Sequence, residues 1–292
     1  MLLYFTYQES QEFKESKSAL HSTVALANEI TISPGEDDIT IANEYAAMHD
    51  TCYDSINIGE DFIKQILFSM VFSVPASVDG EMYMYRMLSQ RFILIAKNFT
   101  DFRDLPSKLH NVLLRQNFYM MISLKGAISD RLNGLENLSF VLGAKDREIV
   151  TTVITEMVNS RNLKMEDFKA IGHKNRTPLL DKITDKATRE RIHTLHKQVG
   201  EKVAFNPIIT KLLFYILLFT DDPENTTMSP EEKNKIERAQ EKLIVVLQRF
   251  IQATFPERFS SAVFGRVMHS LADLKEICEI THTIQLNERT LV

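Results

Sequence analysis

Apolar residues recur along most of the chain at steps of three and four, the spacing of one face of an α-helix. The first helix predicted in this way has its apolar face at Ile41, Tyr45, Met48 and Cys52. Residues 80–99 are apolar on nearly all sides, so we expect that helix in the middle layer of a helical domain. The pattern stops at Leu105–Pro106, and Ser107 is the predicted N-cap of a new helix over about 108–130.

The last third of the chain has the clearest pattern. A helix over about 188–204 is followed by the apolar run 208–219, which reads as a buried helix because it is too short to cross a bilayer and holds Lys211. Ser229, Pro230 and Glu232 form a predicted capping box. A final long helix starts near residue 259, with an apolar stripe at Val267, Leu271, Leu274 and Cys278.

The middle of the chain is less distinct. Residues 148–154 fit either a strand or a helix, and residues 172–178 read as a loop. Residues 1–37 lack sustained periodicity, and we expect a flexible tail or hinge there, followed by one domain over 38–292. The predicted fold class is all-α, with one small β-hairpin left open.

Composition and charge exclude several classes of function. The formal charge of −5 argues against binding nucleic acid through a basic face. Cys52 and Cys278 are far apart and lack a CxxC context, so neither a disulfide framework nor a cysteine zinc site is expected. That usage is typical of a reducing compartment, the cytosol or the nucleus. The first ten residues make a poor signal peptide, and no membrane association is expected.

No pattern for catalysis or metal binding stands out. His193 and His196 share a helix face, but no carboxylate is spaced with them as in zinc enzymes, and a solvated surface is the simpler interpretation. The glycines form no phosphate-binding motif, and there is no GxSxG sequence. We therefore expect no enzyme activity. The informative features are Lys97 and Arg115, which frame an apolar stretch, and the stripe on the last helix.

The stretch from residue 95 to 115, "IAKNFTDFRDLPSKLHNVLLR", resembles the signature of the nuclear receptor ligand-binding domain. Residues 217–256 are similar to the family's eighth and ninth helices, and residues 264–279 to the start of its dimerisation helix, closest to the vitamin D receptor-like branch. The signature positions matched are Ile95, Ala96, Lys97, Phe102, Leu105, Leu113, Leu114 and Arg115.

The resemblance implies a three-layer antiparallel helical sandwich that docks a Leu-rich helix of a coregulator protein in a surface groove. Lys97 would cap one end of the groove by binding the carbonyls at the C-terminus of the docked helix, and Arg115 would flank it. The stripe at Val267, Leu271, Leu274 and Cys278 would pair with a retinoid X receptor-like partner or with a second copy. The alternative is that all four side chains face the core.

The resemblance also implies that the domain binds a lipophilic small molecule, such as a sterol or a fatty acid, and that it needs no other cofactor. Lys125 would meet a polar group of the ligand, although a cation that reaches the surface is an equal alternative. His282 lies one residue out of register with a ligand-binding histidine of the family. The positions matched to the pocket are Met84, Tyr85, Leu88, Ile122, Ser123, Lys125 and His282.

The chain also departs from the family pattern. Leu109–His110 replace a usual Asp-Gln, and Met120 replaces a class-defining Glu. No activation-helix pattern follows residue 281, so either the chain is cut short or this receptor favours repression. The zinc-finger DNA-binding domain is missing, and no direct contact with nucleic acid is expected. The sequence thus predicts a ligand-regulated transcription module of the nucleus, with the cytoplasm as a second location. The alternative is an all-α protein-interaction scaffold with a side-chain-filled core and no ligand.

Overall fold

The computed structural model describes residues 37–72, 78–129, 142–161, 185–203, 206–220 and 228–289. These ranges contain helices and no strand, so the all-α prediction is confirmed and the hairpin left open is not found among them. The helices are α1 (Asp38–Asp54), α2 (Glu60–Phe72), α3 (Val78–Asn98), α4 (Thr100–Arg103), α5 (Ser107–Ser129), α6 (Ala144–Arg161), α7 (Lys186–Lys202), α8 (Pro207–Leu218), α9 (Pro230–Thr254) and α10 (Glu257–Arg289).

The helix ends follow local capping chemistry. At the start of α9 the backbone N–H of Ser229 donates to Glu232 Oε2 at 2.9 Å, and that of Glu232 donates to Ser229 Oγ at 3.2 Å. Pro230 occupies the first turn, and the predicted capping box is confirmed. Helix α5 begins at Ser107 itself, one position earlier than predicted, so Ser107 is not the N-cap residue.

The undecided stretch 148–154 is helical and lies within α6. The apolar run predicted as a buried helix forms α8, whose residues from Leu212 to Leu218 are all buried. The predicted loop at 172–178 and residues 1–36 of the predicted tail lie outside the described residues, whereas Asp37 is the N-cap of α1. No helix in the described ranges is both long enough and apolar enough to cross a membrane.

The chain divides into two compact units, each built from three separate stretches of sequence. In the first unit (residues up to 55, 91–121 and 206–265), α1, α8 and α9 pack against one another around an aromatic cluster. Tyr215 of α8 lies 5.7 Å from Tyr45 of α1 and 5.1 Å from Phe99 between ring centroids. Since these rings come from distant parts of the chain, the cluster joins α8 to α1 and to the end of α3.

In the second unit (residues 56–90, 122–205 and 266–292), α2 packs against α6. Ile63 and Leu67 of α2 and Val153 of α6 belong to one buried apolar cluster. The carboxylate of Asp146, only 1% exposed, accepts the backbone N–H groups of Ile58 and Gly143, each at 2.9 Å. Asp146 therefore joins the loop before α2 to the start of α6.

Candidate functional site

The segment from the end of α3 to the middle of α5 lies in the first unit and contains all the residues of the 95–115 motif. At the matched signature positions the apolar side chains are buried, except that Leu114 is half-buried. The fully or nearly fully buried ones are Ile95, Ala96, Phe102, Leu105 and Leu113. Because these side chains point inward, the two cations and Leu114 are the accessible part of the motif.

Ring contacts hold this segment in place at several points. Phe102 of α4 stacks on His110 of α5 at 4.6 Å between centroids, and Phe92 of α3 meets Phe118 of α5 edge-on at 5.7 Å. Lys97 lies between Phe92 and Phe102 in the sequence, and Arg115 lies between His110 and Phe118. The two contacts therefore bracket both cations and fix the stretches that carry them.

Two ion pairs connect the same segment to α9. Lys108 Nζ lies 2.8 Å from Glu232 Oε1, and Lys242 Nζ lies 3.1 Å from Asp101 Oδ2. Hydrogen bonds from Lys108 and from the backbone of Ser229 hold the pKa of Glu232 below its usual value. Glu232 thus serves both the capping box of α9 and the start of α5, so α9 positions the segment on which Arg115 lies.

Helices α3 and α5 each carry an accessible cation and, close to it in sequence, an accessible apolar side chain. Lys97 is half-buried in the last turn of α3, and Arg115 is exposed on α5. Half-buried Ile93 precedes Lys97 by one helical turn, and half-buried Leu114 precedes Arg115 directly. We call Ile93, Lys97, Leu114 and Arg115 the α3–α5 surface. Apolar contacts flanked by cations suit an amphipathic helix whose C-terminal carbonyls need a positive partner.

Neutral amide side chains cover the C-terminal end of α8 in the same unit. Asn117 of α5, which is fully buried, donates from Nδ2 to the carbonyl oxygen of Thr220 at 2.8 Å. Gln240 of α9 donates from Nε2 to the carbonyl oxygen of Ile216 and to Thr220 Oγ1, both at 3.2 Å. Carbonyls at a helix end lack partners within the helix, so α5 and α9 supply them here.

All the residues predicted to line a ligand pocket lie in the second unit. Leu88 of α3 and Ser123 of α5 are buried, whereas Tyr85, Ile122 and Lys125 are half-buried. Met84 lies in α3 and His282 in α10, but their side chains are not among those described. The predicted ligand residues thus belong to the second unit and the α3–α5 surface to the first, and the role of the ligand residues stays a prediction.

Most of the apolar stripe on α10 is buried within a single chain. Val267 and Leu274 have no exposed surface and Cys278 is 7% exposed, while Leu271 is half-buried. This burial favours the alternative that Val267, Leu274 and Cys278 face the core. Of the four residues, Leu271 has the most accessible side chain. The dimer seam therefore stays a prediction, and any contact with a partner would have to include Leu271.

Other titratable groups include the two cysteines and an ion pair in the second unit. Burial raises the pKa of the thiols of Cys52 and Cys278 to about 11, so both are protonated and poorly nucleophilic at neutral pH. In the second unit Arg191 makes a two-pronged contact with Glu276, donating from Nε to Oε1 at 2.8 Å and from its terminal nitrogen to Oε2 at 2.9 Å. Among the described residues no three or more His, Cys, Asp or Glu side chains cluster as metal ligands would.

Sequence reasoning missed the residues that position the α3–α5 surface. Glu232 was predicted as a cap, but its contact with Lys108 was not, and no structural role was predicted for Asn117 or Gln240. One signal was present at Asn117: this amide directly precedes the apolar run from Phe118 to Ile122, and a buried amide needs a partner. Gln240 stands beside charged residues and gave no such signal. A search of known protein families and of curated proteins finds no match to this chain.

Proposed function

We propose that this chain is the ligand-binding domain of a nuclear receptor and that its first unit docks a Leu-rich helix of a coregulator protein on the α3–α5 surface. One observation carries the proposal. The apolar residues at the matched signature positions are buried apart from Leu114, whereas Lys97, Leu114 and Arg115 remain accessible on a segment fixed by the contacts of Phe92 and Phe102. A motif that served only the core would not need the cations.

The physical basis of docking is a helix end that meets a cation. The last four carbonyls of an isolated helix lack hydrogen-bond partners, and the helix dipole places partial negative charge there. Lys97, at the end of α3, offers a flexible ammonium group to such carbonyls. Ile93 and Leu114 offer apolar area for the leucines, and Arg115 stands next to Leu114.

The proposal extends to a lipophilic ligand in the second unit, such as a sterol or a fatty acid, with Lys125 meeting its polar end. Support comes from the resemblance at Leu88 and Ser123, which are buried as residues around such a ligand would be. A scaffold with a core filled by side chains would use the same docking surface without a ligand. Native mass spectrometry separates the two, because a co-purifying lipid supports the receptor and the bare chain mass supports the scaffold.

Two further parts of the proposal rest on the resemblance alone. The domain would pair with a retinoid X receptor-like partner or with a second copy, and it would act in the nucleus as a non-enzymatic regulator of transcription. Leu271 is the member of the predicted seam through which such pairing can be tested.

Replacing the cation at the end of α3 tests the docking proposal. We expect Lys97→Ala to weaken binding of a Leu-rich coregulator peptide by about 1 kcal/mol, roughly fivefold, because a charge at a helix terminus contributes on that order. Arg115→Ala should weaken it as well, whereas Lys97→Arg, which keeps the charge, should bind nearly as tightly as the parent. Fluorescence anisotropy of a labelled peptide measures each affinity.

A matched control is Lys197→Ala, because Lys197 is an exposed lysine on α7 in the second unit. It should leave peptide affinity unchanged, and circular dichroism should show that all variants keep their helices. If Lys97→Ala and Arg115→Ala both bind the peptide as tightly as the parent, the α3–α5 surface is not the docking site.

A further inference from the structure

Ser229 combines an accessible hydroxyl group with a proline directly after it. Ser229 and Pro230 are both exposed at the start of α9. The backbone of Ser229 is extended, with φ −70° and ψ 158°, and Pro230 occupies the first turn of the helix. The hydroxyl oxygen of Ser229 accepts the backbone N–H of Glu232 at 3.2 Å, whereas the capping box makes no use of the hydroxyl proton. The hydroxyl can therefore be modified without the loss of a donor on which α9 depends.

Serine followed by proline is the recognition element of one class of protein kinases. Proline has a fixed φ near −65° and disfavours a helical backbone in the residue before it. The serine is therefore held extended in front of the proline, as a kinase requires of a substrate segment. Ser229–Pro230 is the one such dipeptide in the part of the chain that the structure describes, and Ser33–Pro34 and Thr177–Pro178 lie outside it.

The charged groups around Ser229 come from two helices of the first unit. Glu232 Oε2 accepts the backbone N–H of Ser229 at 2.9 Å, and Glu232 Oε1 lies 2.8 Å from Lys108 Nζ of α5. A phosphate on Ser229 carries a charge of about −1.5 to −2 at pH 7, so it repels the Glu232 carboxylate. The backbone N–H groups in the first turn of α9 and the Lys108 ammonium group attract it. The side chain of Lys108 is 64% exposed and is free to move from one anion to the other.

We propose that a proline-directed protein kinase phosphorylates Ser229 and that the phosphate then takes Lys108 over from Glu232. In the transfer the hydroxyl oxygen of Ser229 forms a bond to the γ-phosphorus of ATP, and the serine proton passes to the catalytic base of the kinase. The bond from that phosphorus to the bridging oxygen breaks, and ADP leaves with its electron pair. A phosphate cap replaces the Glu232 arm of the capping box, and the contact between α5 and α9 comes under the control of a kinase.

Phosphorylation of the full chain with ATP and a purified proline-directed kinase tests the site. Peptide mapping by mass spectrometry should place a phosphoryl group on Ser229 in the parent and on residue 229 in Ser229→Thr, which keeps a hydroxyl. Pro230→Ala should be modified there about tenfold more slowly or less, because one apolar group of a substrate gives discrimination of this order. Circular dichroism checks that each variant is folded.

Two results would overturn the site. One is a chain that is modified at Ser33 or Thr177 alone or is not modified at all. The other is a Pro230→Ala variant that is modified at Ser229 as fast as the parent.

Urea unfolding of the modified and unmodified chains tests the exchange of partners. Lys108→Ala should lower the unfolding midpoint more in the phosphorylated chain than in the unmodified chain, because Lys108 then has a partner of higher charge. Glu232→Gln should lower it less after phosphorylation, since the phosphate has already displaced the carboxylate. The control Lys197→Ala, at an exposed lysine of α7, should have the same effect in both chains. A Lys108→Ala effect that phosphorylation leaves unchanged or reduces shows that the phosphate does not take Lys108.

Discussion

Asp146 gives the sharpest test of how the second unit is held together. Its carboxylate is 1% exposed and accepts two buried backbone N–H groups, those of Ile58 and Gly143. Asp146→Ala would leave both donors buried without this acceptor, at about 1–3 kcal/mol each. Relief from burying a carboxylate offsets part of this, so we expect the free energy of unfolding to fall by about 2–4 kcal/mol. Urea unfolding followed by circular dichroism measures the change.

Asp185 is a matched control, because it also accepts two hydrogen bonds of the same length in the same unit. The backbone N–H and the hydroxyl of Thr188 both donate to it at 2.9 Å, but Asp185 is exposed. Asp185→Ala should be less destabilising, because water can replace the lost acceptor at an exposed N-cap. If Asp146→Ala is no more destabilising than Asp185→Ala, burial does not set the strength of this contact. Hydrogen exchange of the Ile58 amide should be faster in Asp146→Ala than in the parent and unchanged in Asp185→Ala. That result would show that the loss of stability arises at the contact between Asp146 and Ile58.

Two further predictions concern the stripe on α10 and an ion pair of α1. Leu274→Glu should unfold the protein or destabilise it by several kcal/mol, because Leu274 has no exposed surface, whereas Leu271→Glu should stay folded by circular dichroism. If Leu271→Glu no longer forms dimers in sedimentation, the predicted dimer seam is supported. If Leu274→Glu is as stable as the parent, the argument from the burial of Leu274 is refuted. Burial alone would raise the pKa of Asp50, but hydrogen bonds from His49 and Lys211 hold the pKa below its usual value. The stability that Asp50 contributes is therefore present above the unfolded pKa of about 3.9 and lost as the pH falls through the lower folded value. We expect Asp50→Asn to be less stable than the parent by up to about 1 kcal/mol at pH 7, and the difference should shrink as the pH falls below about 3.9. A difference in urea midpoints that stays constant over this range would contradict the prediction.

Features that depend on neighbouring residues were predictable from the sequence. The capping box of Ser229 and Glu232 and the break before α5 at Pro106 both formed as expected, because their chemistry involves residues within one turn. The sequence could not decide between a strand and a helix for residues 148–154, because local pattern alone does not distinguish them. A short apolar run fits either a strand or a buried helix, and the packing of α6 against α2 is not visible in the run itself.

Features that depend on distant residues were not predictable. The stripe at Val267, Leu271 and Leu274 has the same spacing whether it meets its own core or another chain, so the pattern predicts a face but not what covers it. Asp146 and Ile58 are separated by 88 residues, and nothing in either neighbourhood indicates their contact. The cations of the α3–α5 surface were found from the motif, whereas the ion pairs with α9 that position it came only from the fold.

The interleaving of the two units has a consequence for how the protein is made. Helices α3, α5 and α10 each contribute residues to both units, and the first unit draws on residues as late as 265. A ribosome adds about 5–20 residues per second, so the early helices wait on the order of tens of seconds for their partners. Until α8 is made it cannot cover the apolar faces of α1 and α3, and exposed apolar surface of this kind makes a nascent chain prone to aggregation. For the same reason, neither unit can be transferred to another gene as one uninterrupted segment.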